Sequence, residues 1–407
     1  MHGVPDWVIE DPGDRICIMP RVRPIAVLLV SLILFLNPVP LRSQTTATGI
    51  PEAGHYVDVG GAKLWYEECG ATNSKASLVL LHDGLVHSVT WDDEWPLLCA
   101  KYHVVRYDRR GYGRSDASKA QFVPEDDLVK VMHQVHMEHA FIVGCSSGGG
   151  LALDFAVAHP AMADGLLLIG PVVHGMPSTP YFNSRGAKNS APLDRGDIKA
   201  AADNWSKDRF LIFGDNPAAR KKIYDVLLQN PQNLKVNGGL EVRPSPPTVN
   251  RLSEIRVPAK VLVGEGDIAD VIAYSGAILA DAPLATFEVW DRAAHLLQLE
   301  RPQEVAGAVD RLVNRALLKE VSVPTAMLQS YVGQYKFMDR TAKILFKNDR
   351  LLLELPGSPY YWLFAASDSH FFARTLGTEF EFHKDASGKV AEMVVFNGND
   401  QIKCPRL

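Results

Sequence analysis

At 407 residues the chain is long enough for two domains, or for one large domain carrying an insertion. Its composition, 47% hydrophobic and 22% charged, is that of a globular protein, without the low-complexity tracts or short repeats of a solenoid or propeller. A net charge of -5 with no basic cluster gives no electrostatic basis for binding nucleic acid.

In chain order, the first unusual segment is N-terminal. Arg21 and Arg23 precede an apolar run over 25–36 that is broken only by Ser31. A bilayer span takes roughly 20 apolar residues, so this shorter run with its basic flank reads as a secretory signal peptide within 1–43. Export to the periplasm or medium is expected, with the mature chain starting near Ser43 or Gln44 and no stable membrane span after cleavage. An uncleaved membrane anchor is the other reading of the same run. Residues 1–18, with Asp6, Glu10, Asp11 and Asp14, suit a signal start poorly, and Met19 reads better as the initiator. Cys17 would be lost with that leader. Cys69, Cys99, Cys145 and Cys404 show neither C-x-x-C nor mixed Cys/His spacing, so no metal site is expected. An exported chain could oxidise one pair of them, but the spacing does not choose which.

From His55 onward strands and helices alternate. Residues 55–59 and 63–67 flank Gly60-Gly61 as a hairpin, and the short apolar runs 77–81, 103–107 and 140–143 suit buried parallel strands. Residues 125–135 place Leu128, Val131, Met132 and Val135 on one helical face, and 149–158 form a second helix stopped by His159-Pro160. Further strands are expected over 165–169, 260–263 and 285–290. Such alternation predicts a mainly parallel sheet covered on both faces. Over 172–257 the periodicity weakens, leaving helical pieces at 198–210 and 218–228 that read as a small helical cap above the strand ends. After a helix over 302–319 the pattern changes to seven β-prone runs: 331–337, 343–346, 351–355, 360–364, 369–373, 379–383 and 390–396. These predict a separate antiparallel barrel or sandwich. The expected division is therefore an α/β domain over 50–320 and an antiparallel β-domain over 325–400, meeting near Pro324.

The strongest chemical signal is Gly144-Cys145-Ser146-Ser147-Gly148, after an apolar strand and before a helix. G-x-S-x-G in that setting is a nucleophile elbow, with Ser146 on a strained turn and a helix N-terminus behind it. A serine nucleophile needs a base, and the base needs an orienting acid. His295 follows the last parallel strand and Asp267 the one before it, with Glu265 and Asp270 as rival acids. The backbone N–H groups of Ser147 and of Gly84, in the loop after 77–81, are the expected oxyanion donors. His82 beside them reads as a structural hydrogen-bonding residue.

His82-Asp83-Gly84, Tyr107-Asp108-Arg109-Arg110-Gly111-Tyr112-Gly113-Arg114-Ser115, the Ser146 elbow, Gly264 to Asp267 and His295 together resemble the α/β-hydrolase family over roughly 56–317. The similarity is to the subgroup with enol-lactonases, esterases, cofactor-free perhydrolases and carbon–carbon hydrolases. It implies the α/β-hydrolase fold, a Ser146–Asp267–His295 triad, no cofactor, and a small-molecule ester or lactone substrate cleaved through an acyl-enzyme. Segment 108–115 looks like the family's structural turn, with no catalytic part. Two departures stand out: Asp83 where the family often has Gly, and Ala294 where Gly commonly precedes the histidine. Dehalogenases and epoxide hydrolases of this fold place Asp at the Ser146 position, and dienelactone hydrolases place Cys there. Residues 328–398 resemble, more loosely, a small β-domain that follows some secreted serine hydrolases and brings no catalytic residue. Perhydrolysis, carbon–carbon cleavage, or a non-catalytic receptor on the same fold are the alternative functions.

Overall fold

The apolar runs that alternate with helices form one eight-stranded sheet. Its strands are β1 (His55–Asp58), β2 (Lys63–Cys69), β3 (Ser77–Leu81), β4 (His103–Tyr107), β5 (Ala140–Cys145), β6 (Ala163–Ile169), β7 (Ala259–Gly264) and β8 (Ala285–Trp290). This computed structural model describes residues 54–407 except 215, 237, 375–377, 398 and 399, so the expected leader and signal segment lie outside the described residues. Strand order is β1-β2-β4-β3-β5-β6-β7-β8; the first two strands run antiparallel and the pairs from β4 to β8 are parallel. Order reverses at β3, which pairs with both β4 and β5, and a crevice at the carboxyl ends of such strands is where α/β sheets bind ligands.

Helices α1 (Trp95–Cys99), α2 (Pro124–Gln134), α3 (Ser147–Ala158), α4 (Pro180–Ser190), α5 (Ile198–Ser206), α6 (Pro217–Gln229), α7 (Ala269–Asp281), α8 (Leu297–Glu300) and α9 (Pro302–Ala316) follow in chain order. Two cores explain why the strands read as continuous apolar runs rather than alternating ones. Val79, Leu81, Ile142, Leu166 and Val261 pack with residues of α2, α3 and α7 on one face. Their neighbours Leu78, Leu80, Val143, Leu167 and Leu262 pack with α1, α6 and α9 on the other. Both faces are covered, so the strands are apolar on both sides except where a buried polar group is paired, as Arg106 of β4 is with Glu67 and Asp92. Between β6 and β7 the chain builds α4, α5 and α6. Cys69 at the end of β2 and Cys99 at the end of α1 are joined in a disulfide with a Cα–Cα distance of 5.4 Å, and Cys145 and Cys404 are buried thiols.

The C-terminal β-rich stretch folds as an antiparallel meander. After α10 (Thr325–Ser330) come β9 (Gly333–Phe337), β10 (Arg340–Lys347), β11 (Arg350–Glu354), β12 (Tyr361–Ala365), β13 (His370–Ala373), β14 (Thr378–Lys384), β15 (Val390–Asn397) and β16 (Asp400–Pro405). The sheet runs β9 to β16 in sequence order, and it nearly closes: Tyr335 bridges Arg406, and Leu407 N donates to Gln334 O at 2.9 Å. Among the described residues there are thus eight strands rather than the seven expected. β16 escaped notice because Asp400, Gln401 and Lys403 outnumber its apolar residues, Ile402 and Cys404. Among the described residues no helix is long and apolar enough to cross a membrane.

Candidate active site

β3, β5, β7 and β8 deliver every residue singled out for chemistry to the same edge of the sheet, just beyond their carboxyl ends. At the end of β5, Ser146 takes φ 55° and ψ −118°, a conformation that a side chain with a β-carbon rarely adopts. Backbone hydrogen bonds hold it there: Ser146 N donates to Ile169 O at 2.8 Å, and Ser146 O accepts from Gly150 N and Val172 N at 3.0 and 3.1 Å. Crowding explains the flanking glycines. A β-carbon on Gly144 would lie 2.4 Å from Gly148 O, and one on Gly148 would lie 2.4 Å from His82 O. Helix α3 starts at Ser147, two residues earlier than the sequence pattern indicates, so the Ser147 N–H heads the helix and is not used within it.

His295 Nδ1 and Asp267 Oδ2 are 2.8 Å apart, and Asp267 Oδ1 accepts from Ile268 N at 2.7 Å. With Nδ1–H donating to the carboxylate, Nε2 is the basic nitrogen. The rival acids are engaged elsewhere: Glu265 accepts from Arg292 N at 2.9 Å, and Asp270 accepts from Thr179 N and its hydroxyl at 2.6 and 2.9 Å. Burial disfavours a charged His295, but the Asp267 charge and hydrogen bond outweigh it and hold the imidazole above its ordinary value of 6.5. Gly170 makes room for the pair. It sits at φ 48°, and a β-carbon there would come within 2.8 Å of His295 Nδ1. Because Gly170 directly follows Ile169, the acceptor for Ser146 N, the elbow and the His295–Asp267 pair are neighbours.

Gly84 lies against the elbow, where an added β-carbon would stand 3.2 Å from Ser147 Oγ. The Asp83 side chain shapes this loop, its Oδ1 accepting from Leu85 N at 2.7 Å and Val86 N at 2.8 Å. Its other oxygen is buried without a partner, and burial raises its carboxyl above the usual range. His82 accepts from Arg109 N at Nε2 (2.9 Å), so its Nδ1–H donates to Asp83 O at 2.7 Å. Burial pushes this imidazole well below its ordinary value, as befits a neutral structural residue. Cys145 points into the apolar core, where burial drives its thiol well above its ordinary range.

Three residues that brace the site escaped the sequence reading. Arg109 donates from Nη2 to Ser147 Oγ at 2.7 Å and to Asp83 O at 2.8 Å, while the Tyr112 hydroxyl donates to Gly84 O at 3.1 Å. Both come from the 108–115 turn, which the sequence marks as structural and without a catalytic part. Their residue types were visible, but their reach across to β3 and β5 was not. Glu300 joins the His295 loop to the segment between α5 and α6, accepting from Ala294 N at 2.7 Å and Phe213 N at 2.6 Å. His295 N and Leu296 N donate to Phe210 O and Leu211 O of that segment, each at 3.0 Å. Among the described residues no three His, Cys, Asp or Glu side chains gather as a metal site.

Residues 78–308 match the model of the alpha/beta hydrolase family. A putative carbamate hydrolase of Caulobacter sp. is 34% identical over 111 residues, which cover 26% of this chain and only 41% of that relative. A 2-hydroxy-6-oxononadienedioate/2-hydroxy-6-oxononatrienedioate hydrolase of Dechloromonas aromatica is 24% identical over 253 residues, covering 58% of this chain and 86% of the relative. Among solved structures, the enol-lactonase of Burkholderia xenovorans superposes with a TM-score of 0.55 at 21% identity, covering 64% of this chain and all (100%) of that one. That last likeness is one of fold.

Proposed function

The chain belongs to the alpha/beta hydrolase family, and on that basis we propose that it is a serine hydrolase cleaving a carboxylic ester or lactone through an acyl-enzyme. The observation that carries this reading is the strained Ser146 elbow beside a hydrogen-bonded His295–Asp267 pair. Ser146 Oγ attacks the carbonyl carbon as His295 Nε2 takes its proton. The Ser147 and Gly84 N–H groups stabilise the oxyanion. His295 then returns the proton to the departing alcohol or enol, and later activates the water that releases the acid. Asp267 holds the imidazole tautomer and balances its charge. Labelling by a fluorophosphonate probe, absent in Ser146→Ala, tests the nucleophile, and turnover of p-nitrophenyl acetate tests hydrolysis. A folded protein that neither labels nor turns over would be a receptor on a hydrolase scaffold.

Carbon–carbon bond hydrolysis by the same residues is the second reading, favoured by the name of the Dechloromonas relative, whose length is mostly covered. An ester and lactone panel run beside vinylogous diketones separates the two. Export completes the proposal. The Cys69–Cys99 disulfide supports it, because such bonds persist in oxidising compartments. N-terminal sequencing that found the 25–36 run on a soluble cytoplasmic protein would overturn export.

A further inference from the structure

The C-terminal barrel is packed at one end and hollow at the other. Where α10 enters, Tyr331 stacks on Phe382 with ring centroids 4.4 Å apart, and Phe371 meets the two rings edge-on at 5.6 and 5.5 Å. Toward the opposite end lies a cavity of about 180 Å³. Its floor is Ala342, Phe380 and Met393, all buried, and its rim includes the half-buried Phe337, Tyr361 and Ile402. Strand pairing explains the void. Ala342 stands directly opposite Tyr335 in the β9–β10 register, and Thr378 is the short residue two positions from Phe380. Larger side chains at either place would occupy the space.

Among the described residues that line the cavity none is charged, and Thr378 and Tyr361 alone bring a side-chain oxygen. An eight-stranded barrel is just wide enough to be filled by its own side chains or to hold one small ligand. Apolar surface of this kind gains free energy when an alkyl group covers it and displaces water. Apolar surface also continues outward from the rim, with Met338 and Tyr360 exposed by 66% and 64%. A dry apolar cavity of about 150 Å³ takes up a benzene-sized molecule, so this one fits roughly six to eight carbons. We propose that the barrel is a binding site for one linear alkyl chain of that length, its polar end left in solvent at the rim. The site shares no residue with the elbow and does not depend on the serine mechanism.

The experiment titrates the full chain, carrying ¹³C-methyl methionine, with linear alcohols from butanol to octanol. The Met393 signal is assigned by Met393→Leu. Saturable shifts of the Met393 methyl are expected, with affinity rising about fourfold per added methylene. Ser146→Ala should bind equally well. Thr378→Trp at the rim and Ala342→Phe at the floor should each weaken binding tenfold or more. The proposal is overturned if Met393 does not respond, if shifts are confined to methyl groups outside the barrel such as Met176, or if a filled variant with wild-type unfolding still binds octanol as well as wild type. Should neither filled variant fold, the Met393 titration alone decides.

Discussion

Ser146 is flanked by two other nucleophilic side-chain types, Cys145 and Ser147, and the geometry separates the three. Only Ser146 occupies the strained position of the elbow; Cys145 is sealed in the core, and the Ser147 hydroxyl is taken by Arg109. Ser146→Ala should therefore cut turnover by roughly 10⁴- to 10⁶-fold, the range seen on losing a nucleophile of this kind. Cys145→Ala and Ser147→Ala should keep most activity, since neither removes the nucleophile or a backbone donor. Inactivation by Cys145→Ala alone would move the assignment to the thiol. The pH profile follows from the same atoms. His295 accepts a proton only when neutral, and Asp267 holds its pKa above 6.5, so kcat/KM should fall as pH drops through a midpoint above that value. Asp83 pushes in the same direction as Asp267, and Arg185 opposes them. Asp267→Asn should lower both the rate and the midpoint; an unmoved midpoint would mean that another group titrates.

At the scale of elements, the geometry of the proposed triad depends on a loop that the strand leading to Ser146 does not control. The segment after β8 that carries His295 is held by Glu300 and by backbone bonds to residues 210 and 211. Glu300→Ala would strip the acceptor from two backbone N–H groups, each worth about 1–3 kcal/mol when left unpaired. Its kcat should fall by about tenfold to a hundredfold, as expected for a misplaced catalytic group, while KM changes less. An equal loss of folding and of rate, measured together, would reduce Glu300 to a structural brace. The disulfide acts on stability instead. It closes a separation of 30 residues between β2 and α1, and loss of a loop of that size costs about 3–4 kcal/mol in the chain-entropy model. Cys99→Ser should lower the unfolding midpoint by several degrees and leave p-nitrophenyl acetate turnover close to wild type at low temperature.

Across the whole molecule, the barrel and the proposed chemistry occupy opposite ends of the sheet. Arg315 in α9 donates to Ala373 O, and a cleft of about 500 Å³ beside this contact is lined by Ala259, Lys260 and Thr286 at the starts of β7 and β8. Asp267 and His295 follow the far ends of those strands, six residues each, or roughly 20 Å away. A chain ending at Val323 should accordingly keep measurable small-ester turnover, although it exposes apolar surface of α9; a folded but inactive product would show that the barrel shapes the site. Sequence alone determined the mainly parallel sheet and the strand–turn–helix elbow at Ser146, because strand period, turn glycines and the strand–turn–helix sequence are local properties of the chain. It also showed that the C-terminal stretch is β-rich, yet missed β16, whose inward face is only two residues, Ile402 and Cys404. The pairing of Cys69 with Cys99, the hydrogen bond that joins Asp267 to His295 while Glu265 and Asp270 are engaged elsewhere, and the reach of Arg109 and Glu300 were decided by tertiary structure. Each depends on which strand ends and loops the sheet order brings together, and that proximity is set by packing across tens or hundreds of residues, which no local pattern encodes.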